Sequence, residues 1–288
     1  MIRKAILLAG GLGTRLSPIT KSTNKHLLPI NDKPLIFYPL SILMLNNIRE
    51  ILIIVNTGHR VQFSKLLGDG SRFGIKIKYA EQKKPNGIPD AFNLGEKFIN
   101  KDKIALILGD NFFYGQSLSE QLVKASKMKS GAKIFIQPVG NPSGFGIANV
   151  KKNKVISIEE KPKKPKSNLA ITGLYFFDNT VIKKTKKLKK SKRNELEIVD
   201  LLNLYKRENK LNAEFLGRGA AWLDAGTLTD FLETSNFVNL IEKRQGMKIA
   251  CLEEIALNKN WITKKEIQNS INFYGNCEYT NYLKKIIV

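Results

Sequence analysis

Short apolar runs recur through the first half of the chain, at residues 5–9, 50–56, 75–81 and 103–108, and they alternate with segments of helical periodicity. The helical segments are 35–47, 60–67, 89–99 and 118–128, the last with Ser117 as its expected N-cap. A short run that is apolar throughout reads as a strand buried on both faces. A strand–helix–strand rhythm calls for a mostly parallel sheet with helices on both sides. Pro34 should sit at or before the first turn of the 35–47 helix, and Pro39 should mark a bend or early boundary. Ala91, Phe92, Leu94, Gly95 and Phe98 form the expected inner face of the 89–99 helix.

The second half changes character. Strands are expected at 132–139, 145–151, 154–160, 170–177, 213–216 and 221–223, with Lys152 and Asn153 joining two of them at hairpin spacing. Helices are expected at 179–188, 195–209, 228–244, 253–258, 264–273 and 279–287. With no repeat or low-complexity linker, the expectation is one domain spanning 1–288, with a core at 1–226 and a helical extension at 227–288.

Ligands of such sheets bind beyond the carboxyl ends of the strands. The first strand runs into Gly10, Gly11, Gly13, Thr14 and Arg15, and Lys25 follows. Glycines let the backbone turn tightly and expose N–H groups as an anion site, to which Arg15 and Lys25 add fixed charge. A P-loop is excluded by spacing. A dinucleotide fingerprint is excluded because Leu16 stands where its third glycine should be. Asp110 ends one strand and Asp224 another, and such a carboxylate pair beside phosphate suits Mg²⁺. Glu160 could accept hydrogen bonds from hydroxyls, Lys161 could hold a second anion, and the Gln82 amide could pair with a base edge, with Gly87 close by. Each has a plain alternative when taken singly: a structural turn, a capping aspartate, a solvated loop. His26 and His59 lack any metal-ligand or triad context, and Cys251 and Cys277 read as structural thiols.

The net charge of +23 is concentrated partly in 161–166 and 183–193. Aromatic residues are not interleaved there, so a solvated surface is expected, with neither nucleic acid nor membrane as partner. No apolar run approaches the ~18 residues of a membrane span. The opening residues lack the features of a signal peptide and the cysteines imply no disulfide framework, so a cytoplasmic protein is expected.

Taken together, LAGGLGTRL, NKHLLPI, DKPLIFYPL, LGDNFFYG, EEKP, TGLYFFD, ELEIVD and GRGAAWLDAGT resemble the bacterial sugar nucleotidyltransferases over almost the whole length. The resemblance implies a Rossmann-like α/β nucleotidyltransferase fold and a Mg²⁺-dependent reaction of dTTP with glucose 1-phosphate. Gly10, Gly11, Gly13, Thr14 and Arg15 would then hold the triphosphate. Lys25 would neutralise the reacting phosphates, and Gln82 and Gly87 would read the base. Arg15, Lys25 and Asp110 would carry catalysis, and Asp110 and Asp224 the metal. Asn111, Gly146, Glu160, Ile171, Tyr175 and Trp222 would line the sugar site, with Lys161 and Arg193 on the sugar phosphate. It also implies a homotetramer with a second site for end-product dTDP-sugar near the C-terminal helices. Phe145 stands where the family carries Tyr. A glycosyltransferase of related fold would carry Asp-x-Asp at its metal, where LGDN offers Asp110 alone.

Overall fold

The computed structural model describes residues Met1–Val288. Its strands are β1 (Lys4–Ala9), β2 (Pro29–Ile30), β3 (Lys33–Pro34), β4 (Glu50–Asn56), β5 (Lys76–Gln82), β6 (Ile104–Leu108) and β7 (Asn111–Tyr114). They continue as β8 (Ala132–Pro138), β9 (Gly146–Lys151), β10 (Lys154–Glu160), β11 (Leu169–Phe177), β12 (Leu211–Phe215) and β13 (Ala221–Asp224). One sheet takes the order β5-β4-β1-β6-β11-β8-β12-β10-β9. All its strands but β10 and β11 run the same way. The expected mostly parallel sheet is therefore present, with its unbroken parallel part in β5-β4-β1-β6.

The pleat explains why the central runs are apolar throughout. Along β1 and β4, Ala5, Leu7, Ile51 and Ile53 face one core, and Ile6, Leu52 and Ile54 face the other. Helix Phe37–Leu45 and the last helices seal the first core, through Leu40, Leu252, Ile267 and Leu283. Helix Ile198–Arg207 seals the second through Leu201, Leu202 and Tyr205. The C-terminal helices thus share a core with the sheet. The expected hairpin forms, with Lys152 and Asn153 both at positive φ, as the favoured two-residue turn requires.

Several local expectations are corrected. Pro34 lies in β3, just ahead of the helix as expected, but Pro39 is the third residue of helix Phe37–Leu45. In a first turn its missing N–H breaks no helical hydrogen bond, so it marks neither bend nor boundary. The 89–99 helix divides at Gly95 into Asp90–Leu94 and Glu96–Ile99, and Leu94 is exposed. A Cβ on Gly95 would lie 2.8 Å from the Ile6 side chain, so glycine lets this segment sit close on β1. Ser117 is left-handed and makes no capping bond. The segment after Asp110 is a strand, β7, paired with β13, and Asp224 is the last residue of β13.

Candidate active site

The glycine turn is built by backbone geometry first. Gly13 adopts φ 62°, and its carbonyl accepts from the Thr20 hydroxyl at 2.8 Å. A short 3-10 turn, Thr14–Leu16, buries Leu16 and turns Arg15 the other way. The result is a cavity of about 230 Å³ lined by Gly11, Gly13, Thr14, Arg15, Lys25 and Asp110 among others. Beside it lies a second cavity of about 320 Å³. Asn111, Gly146, Glu160, Lys161, Ile171, Tyr175, Trp222 and Asp224 all line it, so most of the residues anticipated for a sugar phosphate meet here. Arg15, Leu108 and Asp110 belong to both linings.

The shared wall is held by a short chain of bonds. Lys25 Nζ donates to Asp110 Oδ2 at 2.8 Å, and Asn111 Nδ2 donates to Asp110 Oδ1 at 2.9 Å. Asn111 Oδ1 in turn accepts from Gly173 N at 2.9 Å and Trp222 Nε1 at 2.6 Å. Gly173 sits at an irregularity in the β11–β8 ladder, and a Cβ there would strike the Asn111 side chain at 2.6 Å. The β7–β13 ribbon brings Asp224 level with Asn111, and Ala225 N donates to the Asp110 carbonyl at 2.9 Å.

The charges are unevenly settled. Burial raises the Asp110 carboxyl, but Lys25 and its other donors outweigh burial and hold it below the ordinary carboxylate value. Asp224 is pushed up to about 6, first by burial and then by the Asp110 charge. Two facing carboxylates of which one resists ionisation fit a bound cation. No group of three His, Cys, Asp or Glu is present, so phosphate oxygens and water would complete the shell, as Mg²⁺ prefers.

Some anticipated residues lie elsewhere. Gly10 lines neither cavity; a Cβ there would be 2.1 Å from the Gln82 amide nitrogen. Gln82 is buried and its Nε2 donates to the Gly10 carbonyl at 2.5 Å and to Asn56 Oδ1 at 3.1 Å, so its donor braces the glycine turn. Gly87 (φ 94°) packs on the Leu196 backbone, outside both linings. Arg193 also stands outside them, bonded to Glu197 at 2.7 Å with Glu160 at 3.7 Å. His26, read as unremarkable from sequence, lines the first cavity. Its Nδ1 meets Asn24 Oδ1 at 2.9 Å, and a Cβ on Gly109 would be 2.6 Å from its ring. Burial pushes it down to about 4, so it is a neutral imidazole at pH 7. Its sequence signal was Asn24, whose side chain caps the turn and accepts from His26 N at 2.9 Å.

A cradle for anions opening onto a pocket whose polar wall is Asn111, Glu160, Lys161 and Tyr175, with Asp110 common to both, is the site of a phosphoryl or nucleotidyl transfer enzyme. Residues 4–240 match the nucleotidyl transferase family model. Glucose-1-phosphate thymidylyltransferase of Neisseria meningitidis is 47% identical over 99% of both chains. That of Xanthomonas campestris is 45% identical over 98% of this chain and 96% of its own. Among solved structures, a UDP-glucose pyrophosphorylase complexed with UDP-glucose is 25% identical, with TM-score 0.74 over 85% of this chain and 100% of that one. The chain belongs to the nucleotidyl transferase family, among its bacterial glucose-1-phosphate thymidylyltransferases.

Proposed function

We propose that the protein transfers the nucleotidyl group of dTTP to α-D-glucose 1-phosphate, giving dTDP-glucose and pyrophosphate. The observation that carries this is the shared wall: Arg15 and Asp110 line both cavities, with Lys25 bonded to Asp110 between them. In this reading the triphosphate lies along Gly11–Arg15 and the sugar phosphate reaches in past Lys161. The sugar-phosphate oxygen attacks the α-phosphorus in line and pyrophosphate leaves. A phosphate monoester is mostly dianionic at pH 7, with its second pKa at ~6, so no strong base is needed. His26, whose basicity burial lowers, agrees with that. The difficulty is bringing two anions together. Arg15 and Lys25 offset the repulsion and stabilise charge as it moves onto the leaving group. Asp110 and Asp224 are the residues to hold Mg²⁺, which when bound supplies positive charge against the phosphates. Glu160 accepts from sugar hydroxyls and Trp222 closes the pocket wall beside Phe145, the two rings being 5.1 Å apart.

By the same resemblance the protein is a cytoplasmic homotetramer of single-domain subunits. No helix is long and apolar enough to cross a membrane. The second site that the resemblance implies, for a feedback dTDP-sugar near the C-terminal helices, would have room in a cavity of about 470 Å³ between Leu45, Tyr114, Gly115, Cys251 and Ile255.

The test is pyrophosphate release with Mg²⁺, glucose 1-phosphate and each nucleoside triphosphate in turn. Release chiefly with dTTP is expected. Release with UTP alone would keep the chemistry and overturn the base; no release with any nucleotide would overturn the reading.

A further inference from the structure

Three lysine-rich segments each run into the wall of the second cavity. The first carries Lys83 and Lys84 and ends at Ile88, a wall residue. The second leaves the wall at Glu160 and Lys161 and continues through Lys163 and Lys164. The third carries Lys190 and Lys192 and leads into Ile198 and Val199, again wall residues. They are tied to one another. Leu196 N donates to the Asn86 carbonyl at 2.7 Å, and Gly87 admits Leu196 because a Cβ would strike its carbonyl. Arg193 joins the third segment to Glu160. That same arginine occupies Glu197, one of the acidic groups nearest the rim. The seven lysines named are exposed, and none is in an ion pair.

A lone surface lysine does little, but several unpaired ones within about a Debye length, ~10 Å at 0.1 M salt, add their potentials, and a cleft focuses them. None of the three segments holds an aromatic residue, so they offer no stacking platform for a nucleic acid. What they suit is a small ligand of high charge entering the cleft. We propose that this basic rim is a capture device for the enzyme's own phosphorylated substrates, drawing them in by electrostatic steering. The inference rests on the two-cavity reading and adds a role for charge that lies outside both linings.

The test compares two variants that lose the same four charges. One carries K163Q, K164Q, K190Q and K192Q; the other carries K264Q, K265Q, K284Q and K285Q on the last two helices. Association of glucose 1-phosphate, with Mg²⁺ and an unreactive dTTP analogue present, is followed by stopped flow across a range of salt through the fluorescence of Trp222, which lines the second cavity. The rim variant should associate about tenfold more slowly at low salt and converge with the parent at high salt, with dissociation little changed. The control variant should stay near the parent. Equal slowing in both variants, slowing in neither, or a rim effect seen only in RNA retention overturns the proposal. A parent protein that binds no glucose 1-phosphate overturns the functional reading, and the proposal with it.

Discussion

Two buried charge clusters, one on the hairpin formed by β2 and β3 and one at Lys25 ahead of it, are settled in opposite ways. In one, Asp32 and Glu242 face Lys33 and Lys248, and every charge has an opposite partner at 2.5–3.2 Å. Glu242 also accepts from Ile249 N at 2.8 Å and Asn31 Nδ2 at 3.0 Å. This cluster is balanced and fastens helix Leu228–Gln245 to the hairpin. In the other, Lys25 serves Asp110 while Asp224, level with the neighbouring Asn111, is left crowded by it. A balanced buried cluster is a joint. An unbalanced one suits a ligand, and the charges here would favour a cation beside the carboxylates and an anion beside Arg15.

The contrast can be broken at four points. Lys25→Ala should lower turnover by about 10²- to 10³-fold, the scale of losing one charge-stabilising donor. Single-turnover rates against circular dichroism would check it, and parental turnover would end the assignment of Lys25. Glu242→Ala should instead cost stability, about 3 kcal/mol, because it leaves two buried lysines sharing the single charge of Asp32 and takes the acceptor from Ile249 N. Urea midpoints measure this, and activity per folded molecule should hold. Asp224→Asn should do the reverse of Glu242→Ala: raise the melting temperature of metal-free protein by relieving Asp110, while removing Mg²⁺-dependent turnover. A lowered melting temperature would show that Asp224 is a structural group.

The smallest effect concerns pH. Burial raises the Asp32 carboxyl, but Lys33 and Lys248 outweigh it and hold it below its ordinary value of 3.8. A depressed carboxyl stabilises the fold above its unfolded pKa and loses that contribution as pH falls through the folded one. The stability gap between the parent and Asp32→Asn should therefore be full at pH 5–7, by order of magnitude about 1 kcal/mol, and close in more acid solution. A gap that widens on acidification would refute the pairing.

How much of this was legible in the sequence depends on how local the cause was. Strand Glu50–Asn56 and helix Arg60–Leu67 have the bounds their apolar pattern suggests. The Lys152–Asn153 turn was legible because two residues fix it. Strand β7 was not, since Asn111–Tyr114 is a strand only through pairing with Ala221–Asp224, far along the chain. The break at Gly95 was hidden for the same reason, its cause being Ile6 across the interface. In the site, Arg15 and Lys25 could be picked out as cations following a glycine turn, and Asp110 and Asp224 as carboxylates at strand ends. Gln82 turned inward to the Gly10 carbonyl, and His26 turned into the cavity, for reasons of packing that no spacing reveals.

The most direct measurement is a crystal structure with dTDP-glucose and Mg²⁺. If the substrates meet at the Lys25–Asp110 wall, the pyrophosphate bridge of the product will lie between Arg15 and Asp110, with the metal on Asp110 and Asp224 and the glucose between Gly146 and Tyr175. Product bound only in the cavity beside Leu45 and Ile255, with the wall empty, would contradict that.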